Sequence, residues 1–203
     1  MYYETLLQAY LRGRLGEKPN DLTWLEFAQQ NQVRVHRFKQ NSLPRVQKVI
    51  GILHAFWPSD LLDIGSGRGT FLWPLMDAMP HLAITATDQD PEKVAVFEAV
   101  HKGGIESLKA KCLDITQPQS EQADIVTALE VLEHLVQPQI AILNIVAMAQ
   151  RFVVFSVPSK PDNNPEHLHL FSAKQLETWL LDAGARQVRF EYVHNHMIGV
   201  VSR

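Results

Sequence analysis

Cysteine is almost absent from this 203-residue chain: Cys112 stands alone. No disulfide can close within the chain and no thiolate cluster can hold a metal. Long apolar runs are also missing, and a helix needs about 20 such residues to cross a bilayer. The opening MYYETLLQAYLRGRLG places Glu4 where a secretory leader is basic, and Arg12 and Arg14 interrupt its apolar run. The expectation is a soluble, cytoplasmic protein with no membrane partner. Repeats and low-complexity tracts are lacking too, which excludes solenoids and disordered tails. Charge of one sign is scarce: the net is −3, with eight Lys/Arg against five Asp/Glu over residues 1–60 and 11 against 17 beyond. So thin a cation surplus does not make a phosphate-tracking face, so a nucleic-acid partner is not expected. What remains is an ordinary globular composition, 46% hydrophobic and 20% charged, long enough to bury a full core.

The first 59 residues read as helical. Tyr3, Leu6, Leu7, Tyr10 and Leu11 recur at helical spacing, and Gly13 with Gly16 break the pattern. Thr23 and Glu26 have capping-box spacing at the head of a second helix, which the pattern extends through QQNQVRVHRF. A third is expected over PRVQKVIGILHAF, with Pro44 in its tolerated first turn. From residue 60 apolar strands alternate with helices: DLLDIG, LAITATD, SLKAKCLDI, ADIVTALEV and RFVVFSVPS are the strands. Strands apolar on both faces and separated by helices imply a parallel sheet covered on both sides. VRFEYVH and MIGVVSR, separated by a short NH segment, have hairpin spacing. The fold class is therefore α/β: a seven-stranded, mostly parallel, doubly wound sheet with an antiparallel C-terminal hairpin strand, plus an N-terminal helical cap. Residues 1–59 form the cap and 60–203 the sheet domain.

Glycine is concentrated where it has chemical meaning. In LLDIGSGRGTFL, Gly65, Gly67 and Gly69 alternate immediately after the first strand. The dinucleotide fingerprint GxGxxG needs a third glycine at position 70, where Thr70 stands. A tight turn of small residues exposes backbone amides to a ligand without a pyrophosphate, which suits an amino-acid carboxylate and a thioether. Asp63, Asp88 and Asp114 end successive strands, and ligands of open α/β sheets bind outside such strand ends.

With these pieces in order, the chain resembles the class I S-adenosylmethionine-dependent methyltransferases over residues 60–203. The resemblance implies S-adenosylmethionine as cofactor. Asp63, Gly65, Ser66, Gly67 and Gly69 would receive its methionine part. Asp88, with Gln89 beside it, would take the ribose hydroxyls, because a carboxylate accepts two hydrogen bonds at once. Asp114 would accept from the adenine amine, with Ile115 adding a backbone amide and apolar contact. Glu130, opening EVLEHL, would face the cofactor, and His134 in the same phrase would be the catalytic base for an oxygen or nitrogen acceptor. Arg34, Arg37 and Arg45 are candidates for the cofactor carboxylate. Trp24, Phe27 and Phe38 are placed in the core or along an apolar acceptor pocket, and His167, His194 and His196 at the surface or rim.

Glu130, Glu133 and His134, with the distant His169, are also similar to the ExxEH and His set of metal-dependent small-RNA 2′-O-methyltransferases. Carboxylates with imidazoles suit Mg or Mn. Related phrases occur in methyltransferases that act on small molecules without a metal, and no RNA-binding domain is visible, so no metal is assigned. The reading is a methyltransferase acting on a small molecule. The alternatives are an RNA or DNA methyltransferase, and a regulatory or scaffold protein that keeps the fold without turnover.

Overall fold

The computed structural model describes residues 2–36, 38 and 43–203. The strands are β1 (Asp60–Ile64), β2 (Ala83–Asp88), β3 (Leu108–Cys112), β4 (Ala123–Leu129), β5 (Ala149–Pro158), β6 (Gln187–Val193) and β7 (His196–Ser202). The helices are α1 (Tyr2–Leu15), α2 (Trp24–Gln30), α3 (Pro44–Phe56), α4 (Leu72–Ala78), α5 (Pro91–Lys102), α6 (Pro138–Met148) and α7 (Ala173–Asp182). The sheet runs β3-β2-β1-β4-β5-β7-β6. Pairs β2–β3, β1–β4 and β4–β5 are parallel, whereas β7 is antiparallel to both β5 and β6. This is the expected α/β architecture, with the last strand inserted beside the fifth. The hairpin turns on His194 and Asn195, with φ of 41° and 69°. Two successive left-handed residues match the right-handed twist of the strands they join.

The chain builds two compact units, Met1–Asn41 with Ser66–Cys112 and Ser42–Gly65 with Leu113–Arg203. In the first unit α1 lies along α5. A Cβ on Gly13 would overlap the Ala99 backbone and one on Gly103 the Ala9 backbone, so the two helices meet through their main chains. Gly13 therefore does not end α1, as its residue type suggested: the helix runs to Leu15, and the missing side chain is what lets α5 approach. Tyr10, Phe38, Trp73 and Phe97 stack in sequence with centroids 4.9–5.1 Å apart, which places Phe38 in the core. The capping box on α2 forms as expected, the Thr23 amide donating to Glu26 at 2.8 Å and the Glu26 amide to Thr23 Oγ1 at 3.2 Å. The helix nevertheless stops at Gln30 rather than continuing to Phe38. QQNQ offers no apolar face to pack, and Asn31 Nδ2 turns back to cap the Phe27 carbonyl at 2.9 Å.

In the second unit α6 and α7 cover a core that includes Ile64, Val126, Ile142, Ile145, Phe155 and Leu176. A polar latch ties the starts of its strands together. Buried Asp124 accepts from Arg151 Nε, from Arg151 Nη2 at 2.6 Å and from the Ser59 amide at 2.8 Å, while its own amide donates to Asp60 at 2.6 Å. The Arg151 hydrogen bonds hold the Asp124 carboxyl below the ordinary carboxylate range despite its burial. Phe56 of α3 stacks on Phe152 at 4.2 Å and 8°, which seats α3 on the same end.

Candidate active site

The glycine turn enters α4 at the carboxyl end of β1. In the first unit, the Ser66 amide donates to the Thr87 carbonyl at 2.7 Å and the Thr87 amide to Ser66 Oγ at 3.1 Å. The Gly67 amide donates to Asp88 Oδ2 at 2.9 Å, and the Gly69 amide to the Ser66 carbonyl at 2.9 Å. Asp88 is 5% exposed, and its other oxygen accepts from the Asp90 amide at 3.0 Å with Lys93 Nζ at 3.5 Å. Ser66, Gly67, Gly69 and Asp88 are thus one hydrogen-bonded group; Gln89 follows exposed, with its carbonyl accepting from the Cys112 thiol at 3.5 Å. Gly69 has φ of 79°, and a Cβ there would run into the Trp73 indole. Only glycine fits such a backbone at that distance.

In the second unit Asp63 is buried and accepts from Thr127 Oγ1 at 2.6 Å. Its register partner on β4 is that same Thr127. Gly65, with φ of 67°, passes so close to Val131 that a Cβ would overlap its side chain. Asp114 Oδ1 accepts from the Thr116 hydroxyl at 2.7 Å and the Thr116 amide at 2.9 Å, which lowers its pKa. Ile115 is buried in the core, and its carbonyl accepts from Asn144 at 2.7 Å.

Glu130 sits just past β4 with φ of 58°, a left-handed backbone that costs a non-glycine residue about 1–2 kcal/mol. Three contacts hold it there. Its amide donates to the Ser156 carbonyl at 2.9 Å, Oε1 accepts from Ser156 Oγ at 2.7 Å, and Oε2 lies 3.1 Å from His196 Nε2. Arg45 Nε stands 3.9 Å from Oε1. His196 is thus a partner of Glu130 rather than a bystander, a role that the sequence could not signal because β7 reaches this place only through antiparallel pairing. His194 is exposed, as expected.

Beyond Glu130, a 3-10 turn spans Leu132–His134. Glu133 is completely buried, and neither carboxylate oxygen has a hydrogen-bond partner among the described residues. Burial, reinforced by the nearby Glu130 charge, pushes its pKa up to about 8. One ligand atom each from Glu133, His134 and His167 lies within 4.8 Å of the other two. His134 Nδ1 lies 3.0 Å from the Glu166 carbonyl, and His167 Nδ1 lies 2.9 Å from Asp162 Oδ2. Both contacts face acceptors, an arrangement that favours the proton on Nδ1 and leaves Nε2 of each ring directed elsewhere. The Leu168 amide donates to the Glu133 carbonyl at 2.8 Å, fastening the histidine segment to the turn.

The grouping differs from the set drawn from ExxEH. His169 does not join it: its Nε2 contacts the Leu135 carbonyl at 2.9 Å and its ring stacks on Phe171. Glu130 is taken by Ser156 and His196. A turn, in which the His167 amide donates to the Asn164 carbonyl at 3.1 Å, selects His167 instead of its neighbour two residues on. Asp162, five residues upstream, was the available signal. Among the arginines, Arg45 points at Glu130, Arg34 is exposed, and Arg37 lies outside the described residues.

Residues 62–151 match a family described as Methyltransferase domain. No curated protein matches the chain. Among solved structures, magnesium protoporphyrin IX methyltransferase (ChlM) from Synechocystis PCC 6803, with bound SAH, is 16% identical with a TM-score of 0.64, over 98% of this chain and 99% of that one. An O-methyltransferase family protein from Burkholderia thailandensis is 16% identical with a TM-score of 0.66, over 79% of this chain; the match spans 55% of that chain. The methyltransferase domain of a bacterial Hen1 (CtHen1) is 20% identical with a TM-score of 0.63, over 78% of this chain and 97% of that one. At these identities the likeness is one of fold.

Proposed function

We propose that the chain, residues 62–151 of which match a methyltransferase domain, is a class I S-adenosylmethionine-dependent methyltransferase that moves a methyl group to an oxygen or nitrogen of a small molecule. When bound, S-adenosylmethionine supplies an electrophilic methyl group on a sulfonium. The residues present fit it. Asp88 uses two of its roughly four acceptor positions on backbone amides and keeps the others for ribose hydroxyls. Asp114 accepts from Thr116 through Oδ1, and its Oδ2 is the proposed acceptor for the adenine amine, with Ile115 beside it. Asp63, Gly65, Ser66, Gly67, Gly69, Gln89 and Glu130 complete the proposed cofactor set. The reading of residues 1–59 as a helical cap stays part of this proposal, with α1 of that segment lying against α5.

His134 is the proposed base. The Glu166 carbonyl orients its ring so that Nε2 can receive the acceptor's proton. The observation that carries the choice of acceptor is the surroundings of this histidine. Val136, Leu168 and Leu170 are exposed apolar neighbours along the two segments that meet here, and Asp162 and Glu166 are acidic. An apolar, negatively charged border attracts an uncharged or cationic small molecule and repels a phosphate backbone.

The test is methyl transfer from a deuterium-labelled methyl donor to two acceptor pools, one of phenols, carboxylic acids and amines, the other of RNA and DNA, read by mass spectrometry. Label in the small-molecule pool is expected. Label confined to nucleic acid overturns the choice of acceptor. Failure of both the cofactor and S-adenosylhomocysteine to bind in a calorimetric titration supports the scaffold alternative.

A further inference from the structure

We propose that Glu133, His134 and His167 form a binding site for a first-row divalent transition ion, with Zn²⁺ the best-suited occupant. Three independent features support the assignment. The first is the unpartnered carboxylate: Glu133 is 0% exposed, and both oxygens lack a hydrogen-bond partner among the described residues. Burying a carboxylate without partners is costly, and such groups in folded proteins are paired or bind metal. The second is the tautomer of each histidine. Nδ1 of His134 faces the Glu166 carbonyl and Nδ1 of His167 faces the Asp162 carboxylate, which leaves Nε2 of both rings as the ligating atom. A carbonyl or carboxylate behind the far nitrogen is the usual outer support of a ligating histidine.

The third is the spread of the donors. Tetrahedral bonds of about 2.0–2.2 Å set ligand atoms roughly 3.3–3.6 Å apart, so donors within 4.8 Å of one another close on an ion by drawing together by up to roughly 1.3 Å, a movement that side-chain rotation supplies. The His134 and His167 rings already meet edge to face at a centroid distance of 4.8 Å.

With Glu130 outside the group, two imidazoles and one carboxylate leave too few oxygen ligands for Mg²⁺ or Ca²⁺ and favour Zn²⁺ or a neighbouring transition ion. Three protein ligands leave a coordination position open, as at catalytic rather than structural zinc sites. Such an ion takes the lone pair that proton removal by His134 requires, so the two uses of His134 exclude each other at any moment.

The experiment uses the full chain, stripped with a chelator and titrated with Zn²⁺ alone by calorimetry, with Co²⁺ as an absorbing substitute. It involves neither the methyl donor nor turnover, so its failure leaves the methyl-transfer reading untouched. One equivalent of Zn²⁺ is expected, with a visible Co²⁺ band. Glu133→Gln and His167→Gln should each weaken binding at least ~10-fold, and Asp162→Asn about 10-fold through the lost outer support. His169→Ala should bind as the parent does. Circular dichroism confirms folding of each variant; if Glu133→Gln does not fold, His167→Gln decides alone. Absence of saturable one-to-one binding, parent-like affinity in folded His167→Gln, or loss of binding in folded His169→Ala overturns the proposal.

Discussion

Replacing Asp88 with asparagine separates a structural carboxylate from a ligand-binding one. In the protein, Oδ2 accepts from the Gly67 amide at 2.9 Å and Oδ1 from the Asp90 amide at 3.0 Å, within a side chain that is almost wholly buried. Asparagine keeps one acceptor oxygen and turns the other into a donor, so one of the two amides is left facing an N–H group. Losing a hydrogen bond to a charged acceptor costs about 1.5–3 kcal/mol. For a domain of this size that lowers the melting temperature by roughly 4–10 °C. If Asp88 also receives the ribose hydroxyls, affinity for S-adenosylhomocysteine should fall by a further 1–3 kcal/mol, roughly 5- to 150-fold. The assay is calorimetric titration with S-adenosylhomocysteine well below the melting point of either protein, paired with thermal denaturation. Asp90→Ala is the control: it removes the cap on the Glu92 amide, 2.9 Å away, and should cost about 1 kcal/mol of stability without weakening binding. A lowered melting temperature with affinity unchanged within about twofold would refute the ligand role and leave Asp88 as a tie for the glycine turn.

Gly69→Ala should destabilise the protein by at least ~2 kcal/mol, because left-handed backbone and collision with Trp73 add; Gly184→Ala, equally left-handed but with open space around it, should cost only about 1–2 kcal/mol by the same urea titration. Asp124→Asn should lose about 2–3 kcal/mol at pH 7, a figure that allows for the half-exposed Arg151. Its acid limb should flatten, because the Asp124 carboxyl is held below its ordinary value of 3.8 and its contribution is present above that value and lost as pH falls through the lower one. In chelator-treated protein, Glu133 binds a proton between its ordinary 4.5 and about 8, so stability should fall as pH rises across that window, by roughly 5 kcal/mol in all. Glu133→Gln should flatten that slope in urea titrations from pH 5 to 8.5, and an unchanged slope would count against its burial.

The alternation of apolar strands and helices after residue 60, and the hairpin at the end, were legible because burial on both faces leaves a continuous apolar run and a two-residue gap leaves only one way to turn. The glycine turn was legible for a related reason, since alternate glycines after a strand have few other uses. Less legible were the boundaries. Gly13 reads as a breaker in one dimension and serves as a contact in three, and α2 ends at Gln30 because QQNQ carries no apolar face. The histidines were least legible of all: His167 and His169 are equivalent in spacing, and a turn at Asn164 separates a ligand candidate from a packing residue.

By itself the order of residues determined the strand sequence, the glycine bend and the acids at the strand tips, because each depends on local periodicity or on the backbone freedom of one residue type. The tertiary structure alone decided which of these groups share a neighbourhood. Ser156 and His196 come to Glu130, Thr127 to Asp63, and His167 to a carboxylate sealed from water, through pairings between segments 26 to 66 residues apart for Glu130, 64 for Asp63 and 34 for Glu133. Burial and long-range pairing are properties of the packed chain, and in this protein they raise the pKa of Glu133 and turn Nδ1 of two histidines toward acceptors.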